Sequence, residues 1–184
     1  MLIDNYDSFT WNLHHLLAQL AEVTVERNDA ITVEEAAAFE RIVLSPGPGI
    51  PEEAGITLPL LRALLPSHRI LGVCLGMQAL VEACGGRLVN LQPVRHGVPA
   101  RCMPLPPIDP LFGGLPPAFD VGLYHSWAAD PGAVPGALRV TAVSHEGVVM
   151  AVRHARFAAC GVQFHPESVL TPLGARIVRN WLGE

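Results

Sequence analysis

Lysine is absent from all 184 positions, so every one of the 12 basic side chains is an arginine. That absence excludes a Walker phosphate loop, a pyridoxal Schiff base and a Ser-Lys nucleophile pair, each of which needs an amine at its centre. Charge of either sign is sparse, at 16% of the chain against about 25% in ordinary globular domains. The formal charge of −5 lacks the basic excess that binding to nucleic acid or an anionic membrane requires. Cysteine is limited to Cys74, Cys84, Cys102 and Cys160, with no Cys-x-x-Cys pair and no histidine at zinc-finger spacing. A structural metal is therefore not indicated, and four free thiols are expected. No apolar run approaches ~18 residues. The stretch Met1 to Asp7 places acids where a signal peptide needs a basic start, which predicts a cytoplasmic chain.

Apolar residues, by contrast, are plentiful: half of the chain, with a mean hydropathy of +0.34. A chain of this length buries roughly 70% of its unfolded surface without a staple and is expected to form one domain over residues 1–184. Such a composition suits a sheet covered on both faces, a surface offered to another protein, or both.

In the first half, strand-like runs at Met1 to Ile3, Glu22 to Arg27, Arg41 to Leu44 and Arg69 to Val73 alternate with helical periodicity. Phe9, Leu13, Leu16, Leu17 and Leu20 make one stripe behind an N-cap at Asp7 or Ser8. Further helices are predicted over Thr32 to Phe39, over Thr57 (as cap) to Leu65, and over Leu75 to Cys84 before Gly85-Gly86. Beyond Arg87 come short strands at Arg95 to Met103, Val121 to Tyr124, Leu138 to Ser144, Gly147 to Val152 and Ala158 to Val162. A last helix opens at Thr171-Pro172. The pattern predicts an α/β fold with a central mixed, largely parallel sheet flanked by helices on both faces. The proline-crowded segment 104–117 reads as an ordered loop anchored by Leu111, Phe112 and Leu115.

Three segments carry chemistry. Gly72-Val73-Cys74-Leu75-Gly76 sets a thiol at a sharp strand-to-helix turn, the arrangement of a nucleophile elbow. The helix start behind it favours a thiolate and leaves the Leu75 N–H free for an oxyanion. Read alone, a cysteine in an apolar run is usually an inert core residue. His165-Pro166-Glu167 follows a strand, and Pro166 holds His165 extended so that imidazole and carboxylate lie on one side of the chain. A carboxylate beside an imidazole fixes its tautomer and stabilises its cation, as a general base for a thiol requires. Finally, Ser45-Pro46-Gly47-Pro48-Gly49 sits at a strand's carboxyl end, where open α/β sheets bind ligands, and Gly49 is placed to donate a second oxyanion N–H.

These segments closely resemble the triad-type (class I) glutamine amidotransferases, and within them the small subunits of anthranilate synthase and aminodeoxychorismate synthase. The resemblance runs through Ile3 to Thr10, Arg27-Asn28-Asp29, Leu44 to Gly49, Pro51 to Gly55, Leu71 to Gln78, Tyr124-His125-Ser126 and Gly161 to Ser168. It implies Cys74 as nucleophile, His165 as base and Glu167 as its orienting acid. The substrate would be L-glutamine, held by Gly47, Pro48, Gly49, Leu75, Gln78, Ser126 and Trp127, with ammonia passed to a chorismate-binding synthase subunit. No cofactor or metal of its own is implied, the Mg²⁺ of such complexes belonging to the partner. Where the family has His after Cys-Leu-Gly, Arg before Tyr-His-Ser and Leu after it, this chain has Met77, Leu123 and Trp127. Rival readings are an amidotransferase for another acceptor, as in imidazole glycerol phosphate or guanylate synthesis, a free-standing hydrolase, and a non-catalytic subunit that kept the fold.

Overall fold

The computed structural model describes residues 1–183, apart from the side chain of Pro93. In chain order the elements are β1 (Leu2–Asp4), α1 (Thr10–Ala18), β2 (Val25–Arg27), α2 (Val33–Ala36), β3 (Arg41–Leu44), α3 (Thr57–Leu64), β4 (Arg69–Val73), α4 (Leu75–Ala83), β5 (Leu88–Pro104), β6 (Phe119–Ala129), β7 (Leu138–Ser144), β8 (Val149–His154), β9 (Ala159–Val162) and α5 (Gly174–Leu182). The strands form one sheet in the order β2-β1-β3-β4-β9-β8-β7-β5-β6. From β2 to β9 the pairings are parallel; from β9 to β6 they are antiparallel. The expected mixed sheet is thus divided into a parallel half, whose strands are joined through helices, and an antiparallel half built from hairpins and a long return.

Alternation along the strands sends successive side chains to opposite faces. Leu2, Val43, Leu71, Val73 and Val162 pack against Leu13 and Leu17 of α1 and Ile177, Val178 and Trp181 of α5. Ile3, Ile42, Leu44 and Ile70 face the other way, onto Ala36 of α2, Leu60 and Leu61 of α3, and Met77 and Leu80 of α4. Both faces are covered, which accounts for the apolar surplus in the sequence. All four cysteines are free thiols. Among the described residues no helix is long and apolar enough to cross a membrane.

Several local expectations need correction. Thr57 is the first helical residue of α3 and not its cap; its hydroxyl instead donates to Asn5 Oδ1 at 2.8 Å. The strand expected from Glu22 begins at Val25, and the one expected from Arg95 runs from Leu88 to Pro104. Its register slips between Asn90 and Arg95 and between His96 and Val98, so the strand passes Pro93 and Gly97 (φ 67°) by bulging, whereas Pro99 stays in register opposite Gly122. The last helix starts at Gly174, and the Thr171 hydroxyl does not cap it: its oxygen accepts the Gly122 N–H at 3.0 Å and its proton goes to the His165 carbonyl at 2.6 Å. The proline-crowded loop is ordered as expected, with Leu111 and Phe112 buried. Its electrostatic anchor, buried Asp109, accepts from Arg153 Nη2 at 2.7 Å and from Arg139 Nη2 at 3.0 Å.

Candidate active site

The site lies at the carboxyl edge of the parallel strands. Pairing of β4 with β9 aligns Val73 with Val162, and the Cys74 N–H donates to the Val162 carbonyl at 2.8 Å. The segment leaving β4 is thereby brought beside the segment leaving β9. Cys74 itself has φ 52° and ψ −104°, a conformation that a non-glycine residue adopts only where its surroundings hold it. The flanking glycines are required by contact. A Cβ on Gly72 would stand 2.3 Å from the Gly76 carbonyl oxygen, and one on Gly76 would stand 2.5 Å from that of Leu44. Leu75 opens α4, so its N–H has no partner within the helix.

His165 Nδ1 and Glu167 Oε1 are 2.6 Å apart, and both side chains are almost wholly buried. The backbone is pinned as well: the His165 N–H donates to Gly122 O at 3.1 Å. Phe9 and Tyr124 wall the ring, with centroids 5.8 and 4.8 Å from that of His165. Burial alone would lower the His165 pKa, but the Cys74 sulfur and then the Glu167 carboxylate outweigh it and push it up to about 10. The site therefore favours an imidazolium. His165 Nε2 makes no hydrogen bond. With Nδ1 held by Glu167, Nε2 is the nitrogen left to exchange a proton with a reacting group.

In front of the thiol is a cavity of about 130 Å³ lined by Gly47, Pro48, Gly49, Cys74, Gln78, Tyr124, His125, Ser126 and Trp127. Leu75 is buried, and its Cδ2 lies 2.7 Å from where a Cβ on Gly47 would stand, so this loop packs directly on the start of α4. The ten residues singled out from the sequence are thus brought together, eight of them on the cavity or its immediate wall, His165 next to the thiol and Glu167 behind it on Nδ1. Gln78 is less free than expected, since its Nε2 donates to Trp127 O at 2.7 Å and to Gln163 Oε1 at 3.3 Å. Its carbonyl oxygen is the group left to face a ligand. Met77 lies on the opposite side of α4, in the core against Gly161 of β9, so this departure from the family pattern does not touch the cavity. Leu123 is likewise buried.

Several participants have no role that the sequence alone assigns. Gln163 donates to Cys74 Sγ at 3.5 Å. Burial lowers the His125 pKa to about 4, and its Nδ1 lies 2.8 Å from Trp127 O, which identifies a neutral ring donating from Nδ1. Asn5 fixes the start of the Gly47–Gly49 loop: its N–H donates to Ser45 Oγ at 2.8 Å and its Nδ2 to Ser45 O at 2.9 Å. Its Oδ1 accepts from Asn28 Nδ2 and Thr57 Oγ1. Asp7, expected only as a helix cap, receives the Phe9 N–H at 2.7 Å and also brings a carboxylate oxygen within 4.8 Å of ligand atoms on His165 and Glu167. The tight His165–Glu167 hydrogen bond makes that trio an acid–base cluster and not an open metal cage.

The family described as glutamine amidotransferase class-I matches residues 1–184. Aminodeoxychorismate synthase component 2 of Escherichia coli is 43% identical over 186 residues, covering 99% of this chain and 98% of that protein. Anthranilate synthase component 2 of Azospirillum brasilense is 42% identical over 193 residues, covering 99% and 94%. Among solved structures, a GMP synthase subunit from Thermoplasma acidophilum superposes with a TM-score of 0.87 at 25% identity, over 99% of this chain and 90% of that one.

Proposed function

Because this chain belongs to the class-I glutamine amidotransferase family, we propose that residues 1–184 form one amidotransferase domain that hydrolyses glutamine at Cys74 and supplies ammonia to a chorismate-using synthase subunit. The observation that carries the reading is the strained Cys74 at the start of α4, facing the cavity beside the buried His165–Glu167 pair.

The thiolate attacks the side-chain amide carbonyl of glutamine, forming the C–S bond while the carbonyl electrons move onto oxygen. The N–H groups of Leu75 and Gly49 are assigned to receive that oxyanion. Collapse breaks the C–N bond, and the His165 imidazolium gives its proton to the departing nitrogen, which leaves as ammonia. Water then attacks the thioester, His165 takes a proton from it, and glutamate departs as the thiolate is restored. Glu167 holds the ring through Nδ1 during both transfers. Gln78, Ser126 and Trp127 are assigned to the amino-acid end of the substrate.

Ammonia released into bulk water is protonated and lost, so an acceptor seated over the site is expected. The names of the relatives support anthranilate synthase or aminodeoxychorismate synthase as the complex. Exposed Tyr6 and Trp11, near the start of the chain, and Val169, two residues after Glu167, offer apolar surface for such a partner. Incubation with an electrophilic glutamine analogue tests the reading. Mass measurement should find a single adduct on Cys74, prevented by excess glutamine; labelling elsewhere, or none, contradicts it.

A further inference from the structure

Beside the glutamine cavity lies a larger, open cleft of about 490 Å³, which no step of the mechanism uses. It runs between the 3-10 turn Pro51–Glu53 and the last turn of α4, and Trp127 walls both this cleft and the glutamine cavity. Two acids line it, Glu52 from the turn and Glu82 from α4, and Glu82 Oε2 is buried without a hydrogen-bond partner. Burial first, and then the neighbouring Glu52, push the Glu82 pKa up to about 7. Glu82 is therefore held towards its neutral form beside the Glu52 carboxylate, and a cation seated between the two would take the place of the Glu82 proton. Arginines stand on the same cleft, but Arg87 is paired with Asp130 at 3.4 Å, while Arg62 makes no salt bridge among the described residues.

Two routes lead from this cleft towards the glutamine cavity, one along the chain and one through hydrogen bonds. Glu52 is three residues from Gly49, and its neighbour Glu53 lies against Gly49, with Oε2 2.5 Å from where a Cβ there would stand. Trp127 in turn accepts the hydrogen bonds of Gln78 and His125 through its carbonyl. We propose that the cleft receives a cationic side chain, lysine or arginine, of the ammonia-accepting subunit, and that its seating on Glu52 and Glu82 sets the Gly47–Gly49 loop and Trp127 for glutamine hydrolysis. An acidic neighbour in the same partner segment would meet Arg62 at the rim. The charge pattern fits a protein segment carrying both signs, and fits neither a bare metal nor an anion. The inference rests on the partner reading above and specifies where and how that partner acts.

The test is calorimetry of the chain with the chorismate-using synthase subunit of the same organism, run at pH 7 in two buffers of different ionisation enthalpy. Because Glu82 is partly protonated there, binding to the parent chain should release a measurable fraction of a proton. Glu82→Gln should abolish that release, weaken binding about tenfold and lose part of the partner's stimulation, while its partner-free glutaminase rate stays at the parent value. Glu34→Gln, at an exposed position on α2, is the control and should change none of these. Equal affinity and equal proton release for Glu82→Gln overturns the proposal. So does a raised KM for glutamine in the partner-free variant with partner affinity intact, which would make the cleft a substrate entrance. A parent chain that binds no synthase subunit removes the partner reading and this inference together, a result distinct from a complex indifferent to Glu82.

Discussion

His165 and Glu167 show how much depends on where two side chains are buried. In water a histidine–glutamate pair has little reason to stay together; here both are enclosed, 2.6 Å apart, under Phe9 and Tyr124. His165→Ala should therefore lower glutamine-dependent turnover on the order of a thousandfold, as loss of the base does in triads. Glu167→Gln should fall less, because the base remains and only its orientation suffers; a variant as active as the parent would remove Glu167 from the mechanism. The raised pKa of His165 also has a sign for stability. The folded state holds the proton more tightly than the unfolded one, so this contribution is complete below pH 6.5 and is lost as pH rises towards 10. His165→Gln should consequently lose most stability, relative to the parent, at about pH 6 and progressively less towards pH 10, as read by denaturant titration. Cysteine, histidine and glutamate were legible in the sequence because their motifs are local. The roles of Gln163, Tyr124 and His125 were not, since each acts through a neighbour distant along the chain.

At the scale of elements, β3, β4 and α4 follow their sequence signals nearly to the residue, because short apolar runs bounded by Ser45-Pro46, the Cys74 turn and Gly85-Gly86 leave few alternatives. The limits of β5 were not legible. Two prolines interrupt its pattern, and the 17-residue strand is held by pairing with β6 that no local signal announces. The turn between β4 and α4 is the least tolerant junction. Gly72→Ala must push a methyl group into backbone at 2.3 Å, which should cost on the order of 3 kcal/mol, visible as a lowered denaturation midpoint together with lost activity. A midpoint equal to that of the parent would mean that the elbow yields more easily than its contacts indicate. The loop before β6 depends on Asp109. Burial would raise its pKa, but Arg153, the Leu111 N–H and Arg139 together hold the carboxyl below its usual range. The folded state therefore binds this proton less readily, so the stabilisation is present above about pH 4 and lost as pH falls through the depressed value. Asp109→Asn should be clearly less stable than the parent at pH 7 and closer to it at pH 3. A difference independent of pH would assign the effect to packing alone.

On the scale of the whole molecule, a sheet covered on both faces leaves one functional edge, and at that edge stand an enclosed thiol, a small cavity and exposed apolar side chains. Composition and motif order disclosed the covered sheet and the resemblance to amidotransferases. The second cleft was invisible in sequence, because Glu52, Glu82 and Trp127 meet only once the helices have docked. An isolated, fully active glutaminase would discard glutamine, so the chain alone should turn over slowly and the synthase subunit should raise kcat. An unchanged kcat at saturating partner would contradict that coupling. The central claim is narrower: Cys74 is the nucleophile of glutamine hydrolysis and supplies ammonia to a separate acceptor. Its most direct test compares glutamine with ammonium salts as nitrogen donor for the complex carrying Cys74→Ser. The account predicts that glutamine-dependent synthesis falls by on the order of a thousandfold or more while ammonia-driven synthesis stays near the parent rate; equal loss with both donors would show that Cys74 supports structure and not the reaction.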